Sequence, residues 1–275
     1  MSDAAQHLTF PVLAFYPATQ APQPHAVGPY SMAVALDAPL APGRYPLVVI
    51  SHGSGGAPIL YRTIAMALAA RGYVVVLLEH HGNNRLDNSL KGTWQNLQHR
   101  PRHVSLTIDH LSTHTAYAPY LDLSRIAVIG HSLGAYTALA LAGGQPWTQA
   151  LEAVPVQPDP RISALVLLAP ATAYYMPEGA LKAVNLPILM LTGEHDDITP
   201  QWHADLVIKG VPQPENVQWH DISNAGHFSF LSPFPPAMQR PGLAPALDPP
   251  GFDRVAFHQE MPLQIADFLD RHLRA

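Results

Sequence analysis

The 275-residue sequence contains no cysteine. That excludes disulfides, zinc–thiolate sites, iron–sulfur clusters and any cysteine nucleophile. Charge is scarce as well: 13% of residues are charged, about half the usual ~25%. The 15 basic and 20 acidic side chains give a formal charge of −5 without a Lys/Arg cluster. That balance argues against a nucleic-acid partner or an anionic membrane surface. No apolar run reaches the ~18 residues of a bilayer span. The first ten residues, MSDAAQHLTF, have neither a basic nor an apolar leader region, and the first Lys or Arg is Arg44. The expectation is a soluble, cytoplasmic, globular protein.

Proline is abundant instead, with 29 residues, roughly twice the average ~5%. Its placement is uneven. Residues 59–145 hold only Pro101 and Pro119, whereas seven prolines fall in the 18 residues from Pro233 to Pro250. The latter stretch is too proline-rich for a helix or a central strand and is expected to be a stiff loop.

Short, β-branched apolar runs recur at Leu47–Ile50, Val74–Leu78, Ile126–Ile129, Ala164–Leu168 and Ile188–Leu191. They fit strands of a parallel sheet buried on both faces. Helical patterns lie between and after them: Ile59–Arg71, Ser132 to about Leu141, Trp202–Lys209 and Arg254–Leu273. A further strand is expected at Val217–Ile222, and antiparallel edge strands at Val12–Tyr16 and Met32–Leu36. The alternation predicts an α/β fold with helices on both faces of a mostly parallel sheet. Without repeats or a long linker, residues 1–275 read as one domain.

Gly130-His131-Ser132-Leu133-Gly134 matches G-x-S-x-G between a predicted strand and a predicted helix, the setting of a nucleophile elbow. A serine there needs a histidine base and an acid that orients it. The loop after Ile188–Leu191 offers Glu194, Asp196 and Asp197, and Asn224-Ala225-Gly226-His227 follows the next strand. Serine, then acid, then histidine is the chain order of the α/β hydrolases. An oxyanion hole would take the N–H of Leu133 and a second donor from His52-Gly53-Ser54-Gly55-Gly56.

These segments carry a family resemblance. HGSGGAPILYRTIAMALAARGYVVVLLEHHGN, Arg100-Pro101-Arg102-His103-Val104 with Ile108-Asp109, the GHSLG elbow, AGHFSFL and Asp248–Arg254 resemble platelet-activating-factor acetylhydrolases. They are more similar still to bacterial relatives labelled dienelactone-hydrolase-like. The resemblance runs from about residue 10 to the C-terminus. It implies an α/β-hydrolase fold and serine hydrolysis of carboxylic esters, with Ser54 as the second oxyanion donor. Two departures matter. Dienelactone hydrolases use a cysteine nucleophile, which this chain lacks. In animal acetylhydrolases the acid follows the strand after the elbow helix, where this chain has Ala169-Pro170. The acid therefore falls in the later loop, where the spacing G-x-x-D-x-x-x-P selects Asp196, with Asp197 as the alternative.

The expected function is hydrolysis of a small-molecule ester through an acyl-enzyme, with no cofactor and no metal. Amide, thioester or acyl-transfer chemistry on the same residues is the alternative, followed by a silent binding module. His110 and His114 have metal-compatible spacing, yet no third ligand is evident, so exposed histidines are expected. One of His80 and His81 is expected to be a buried, hydrogen-bonded loop former. Trp94, Phe228 and Phe234 are candidate substrate contacts, with Phe230 and Met238 also considered. Residues 82–100 read as a polar loop that, with 233–250, partly covers the site. Nothing in the sequence sets the oligomeric state.

Overall fold

The computed structural model describes residues 1–3 and 8–274; residues 4–7, part of the N-terminal stretch read above, lie outside them. A two-residue pairing of β1 (Ser2–Asp3) with β2 (Leu8–Thr9) precedes the main sheet. That sheet has seven strands: β3 (Val12–Phe15), β6 (Tyr45–Ser51), β7 (Val74–Leu78), β8 (Leu121–His131), β9 (Ile162–Leu168), β10 (Ile188–Gly193) and β11 (Val217–Ile222). Their spatial order is β11-β10-β9-β8-β6-β7-β3. All neighbours pair in parallel except β3, an antiparallel edge strand against β7.

The other expected edge strand is not there. Met32 lies in β5 (Tyr30–Val34), which pairs with β4 (Gln23–Val27) in a separate two-stranded hairpin. Only alternate residues of β5 are buried, because one face packs on the body of the protein and the other meets solvent. The pattern revealed a strand but not its partner.

Alternation along the central strands divides the core between two faces. Leu47, Val49, Val128, Leu165 and Met190 meet α2 (Trp94–Thr113), α3 (Leu133–Leu141) and α4 (Trp202–Gly210). Val48, Ile50, Ile129, Val166 and Leu189 meet α1 (Arg62–Ala70) and α5 (Arg254–Leu273). No helix among the described residues is long and apolar enough to cross a membrane.

The 82–100 loop expectation needs correction, since α2 begins at Trp94. Pro101 lies inside this helix and has no N–H for the carbonyl of Leu97, four residues earlier. Tyr136, from α3, supplies the missing donor: its hydroxyl reaches Leu97 O at 2.9 Å. Thr93 caps the helix by accepting from the Asn96 N–H at 3.2 Å.

After β7 the chain crosses back over β6 to form β8, so the strand order reverses between β6 and β8. Open α/β sheets gather their chemistry beyond the C-terminal strand ends at such a switch point. Register places Ser51, the last residue of β6, opposite Gly130 of the elbow.

Candidate active site

Ser132 joins β8 to α3 with φ 54° and ψ −119°, a conformation that costs a non-glycine residue about 1–3 kcal/mol. The flanking glycines are required by contact. A Cβ on Gly130 would lie 2.2 Å from Gly134 O, and one on Gly134 would lie 1.9 Å from Ser51 O. The Ser132 N–H donates to Leu168 O at 2.9 Å, and its carbonyl accepts from the N–H groups of Ala135 and Ala171. Strand end, helix start and the end of β9 thus fix the strained turn together.

His227 reaches this serine from the loop after β11, with Nε2 2.9 Å from Ser132 Oγ. Its Nδ1 lies 2.8 Å from Asp196 Oδ2. A carboxylate only accepts, so the proton sits on Nδ1 and Nε2 is left to accept from the serine hydroxyl. Asp196 is buried at 4% exposure. Its Oδ1 accepts from the N–H groups of Ile198 and Thr199, and its Oδ2 from Thr199 Oγ1 at 2.7 Å. Burial opposes its charge, but His227 and the Thr199 donors outweigh that and hold its pKa at about 2. Asp197 is exposed. Glu194 is exposed too, and accepts from the Asn224 N–H at 2.9 Å. Of the three acidic candidates, Asp196 alone touches His227.

The loop after β6 also approaches the serine. A Cβ on Gly53 would lie 3.2 Å from Ser132 Cβ, so this backbone passes close to the nucleophile position. Among the described residues, no backbone partner takes up the N–H of Leu133 or that of Ser54. The Ser54 hydroxyl accepts from Asn83 Nδ2 at 3.0 Å.

Three loops are joined by one hydrogen-bond chain whose direction can be assigned. His131 Nε2 lies 2.9 Å from His227 O, which only accepts, so His131 carries its proton there. Its Nδ1 then accepts from the Tyr61 hydroxyl at 2.9 Å, while that oxygen accepts from the Gly53 N–H at 3.2 Å. Burial, then the neighbouring His227, pushes the His131 pKa down to about 3, so it stays neutral. Tyr61 lies in an apolar run, and nothing in the sequence marks it for this role.

Other histidines are scaffold. His52 donates from Nδ1 to Gly53 O at 2.7 Å and accepts the His80 N–H on Nε2. His80 is fully buried and lies 2.8 Å from Ser51 Oγ. Among the described residues no group of three His, Asp or Glu is placed to hold a metal ion.

The aromatic candidates separate. Phe228 stands edge-on to His227 with ring centroids 5.2 Å apart. Trp94 is half-exposed at the start of α2. Phe234 is buried and packs against Tyr30, with the Arg254 guanidinium 5.5 Å from its ring. Phe230 is also core, and Met238 packs on the same cluster.

A ferulic acid esterase from Streptomyces cinnamoneus superposes with a TM-score of 0.73 over 96% of this chain and 82% of its own, at 21% identity. The chain has the α/β-hydrolase fold. Within this fold, a family model for platelet-activating factor acetylhydrolase, isoform II, matches residues 23–98. A cutinase (est2) from Thermobifida alba is 24% identical over 188 residues, covering 67% of this chain and 53% of its own. A bis(hydroxyethyl) terephthalate hydrolase from Streptomyces coelicolor is 25% identical over 68% of this chain and 52% of its own. The matched segment spans about half the length of these relatives.

Proposed function

We propose that this α/β hydrolase is a serine esterase acting on small carboxylic esters. The observation that carries the reading is the continuous hydrogen-bonded line from Asp196 through His227 to the strained Ser132. Ser132 passes its proton to His227 Nε2 as Oγ adds to the ester carbonyl. The oxyanion is held by the N–H groups of Leu133 and Ser54. When the carbon–oxygen bond breaks, His227 returns the proton to the leaving alkoxide. Water then loses a proton to the same nitrogen and attacks the acyl-enzyme, releasing the acid and restoring Ser132. Asp196 fixes the histidine tautomer and stabilises its cation. The steps balance with these side chains and water alone. The names of the cutinase, the terephthalate hydrolase and the ferulic acid esterase support ester chemistry.

Phe228, edge-on to His227, supplies apolar surface beside the catalytic histidine in this reading. The 233–250 segment stiffens the histidine loop from behind: Asp248 accepts from Ser229 Oγ at 2.7 Å, and that oxygen accepts from the Gly226 N–H at 3.0 Å. Replacing the nucleophile tests the proposal. Ser132→Ala is expected to lose at least ~10³-fold of p-nitrophenyl acetate hydrolysis, and a folded variant with an unchanged rate refutes it.

A further inference from the structure

Against the loop after β6 lies a buried charge that takes no part in the proton transfers above. Arg100, on α2, is fully buried. Its Nε donates to Thr137 Oγ1 at 3.1 Å and its Nη1 to Asn83 Oδ1 at 2.7 Å. Its Nη2 donates to Ser51 Oγ at 3.3 Å and to the carbonyl of His52. Every acceptor is neutral, and among the described residues no carboxylate pairs with it. Burial raises the pKa values of the phenols Tyr61, Tyr136 and Tyr174, so they stay neutral and supply no counter-charge. Burial pushes the Arg100 pKa downward, yet a guanidinium keeps its proton at neutral pH.

Taking an ion out of water without an opposite charge to pair with it is unfavourable, so fold stability alone does not call for a cation here. Its surroundings give this cation a use. Ser51 and His52 are the two residues that lead into Gly53, whose backbone passes close to Ser132. Asn83, held by Nη1, passes the contact on by donating to Ser54 Oγ at 3.0 Å and to Asn88 Oδ1 at 2.7 Å. One guanidinium therefore grips the segment from Ser51 to Ser54 at both ends.

We propose that Arg100 is a positioning residue for the oxyanion hole: it fixes the Ser51–Ser54 backbone and sets an uncompensated positive charge beneath it. This rests on the esterase reading. The ester and the acyl-enzyme are neutral, and negative charge arises on the carbonyl oxygen only in the tetrahedral states. A fixed cation below the loop favours those states over the bound substrate, so it acts on kcat rather than KM.

The test uses Arg100→Gln, Arg100→Lys and Asn83→Ala in the full chain. Each is assayed for kcat and KM on p-nitrophenyl acetate, and for inhibition by a trifluoromethyl ketone. That ketone adds Ser132 Oγ to give an anionic hemiketal whose oxygen occupies the hole. Arg100→Gln and Asn83→Ala are expected to lower kcat about 10–100-fold with KM within about threefold, and to weaken the ketone in proportion. Arg100→Lys keeps the charge without the planar fork and recovers part of kcat. A purely structural role would lower the melting temperature without a matching loss of ketone affinity. If Arg100→Gln does not fold, Arg100→Lys and Asn83→Ala decide together, the first removing the planar fork and the second the link to Ser54. Wild-type kcat and ketone affinity in Arg100→Gln, or in both Arg100→Lys and Asn83→Ala, overturn the inference. Ser132→Ala separates the two claims: activity surviving there sinks the esterase reading. A dead Ser132→Ala beside a wild-type-like Arg100→Gln sinks only the role of Arg100.

Discussion

At the scale of single residues, the site is held by conflict between local preference and tertiary contact. Ser132 occupies a backbone conformation that only glycine adopts readily, and the surrounding backbone bonds keep it there. Ser132→Gly therefore removes strain as well as the nucleophile. It is expected to abolish esterase activity and to raise stability by about 1 kcal/mol relative to Ser132→Ala, measured by urea denaturation. Equal stability of the two variants would show that the elbow stores no strain. The G-x-S-x-G spacing is readable because Gly130 meets Gly134 within one turn, whereas the approach of Gly134 to Ser51 comes from a different strand. Selection of Asp196 over Asp197 depends on a loop that curls its own N–H groups, at Ile198 and Thr199, onto one carboxylate. The spacing favoured that residue, while the contribution of Thr199 had no sequence signal.

At the scale of elements, local patterning specified the central strands and most helices, because alternation and 3.6-residue periodicity are short-range properties. It failed where a long-range bond substitutes for a local one. The stretch 82–100 read as a loop, yet α2 starts at Trp94 and continues through Pro101, where the Tyr136 hydroxyl satisfies the carbonyl that proline leaves open. The proline-rich segment is tied down in a similar way. Arg254, nearly buried at the start of α5, binds Asp248 with Nε at 2.9 Å and Nη2 at 2.8 Å. Its Nη1 and Nη2 also reach the carbonyls of Pro245 and Leu247. Asp248 in turn holds Ser229 and, through it, the turn that carries His227. Arg254→Met is expected to speed hydrogen exchange across residues 239–248 and to lower kcat, since the histidine loop loses its support. It should cost about 3 kcal/mol or more, because it leaves Asp248 without its partner. Unchanged exchange would mean that packing against Tyr30 and Phe234 is sufficient.

At the scale of the whole molecule, buried neutral histidines couple the fold to pH. Burial, reinforced by the charge on Arg100, lowers His52 to about 3, and burial with His227 does the same for His131. Burial likewise lowers His203 and His258 to about 4. Each folded value lies below the unfolded one near 6.5. Between about pH 6.5 and 4 the unfolded chain therefore binds protons that the folded chain refuses, and stability falls as pH falls. The slope is at most about 1.4 kcal/mol per pH unit for each such histidine. Asp196 adds to this only at the acid end: its contribution is full above the ordinary carboxylate value and is lost as pH drops toward 2. Urea midpoints should decline steeply from pH 6.5 to 4.5. A flat profile across that interval would show that these histidines are protonated in the folded state.

The missing cysteine, the order of serine, acid and histidine, and the two-faced strands were fixed by the sequence alone, because each depends on composition or on neighbours within a few residues. Tertiary structure decided which side chains meet across 70 residues or more of chain, as Tyr61 does with His131. It also decided where the hairpin of β4 and β5 packs and why a lone guanidinium sits beneath the Ser51–Ser54 loop. Those choices follow from strand order and register: the return of β8 beside β6, with Ser51 opposite Gly130, brings distant loops to one edge of the sheet. No local pattern encodes that distance.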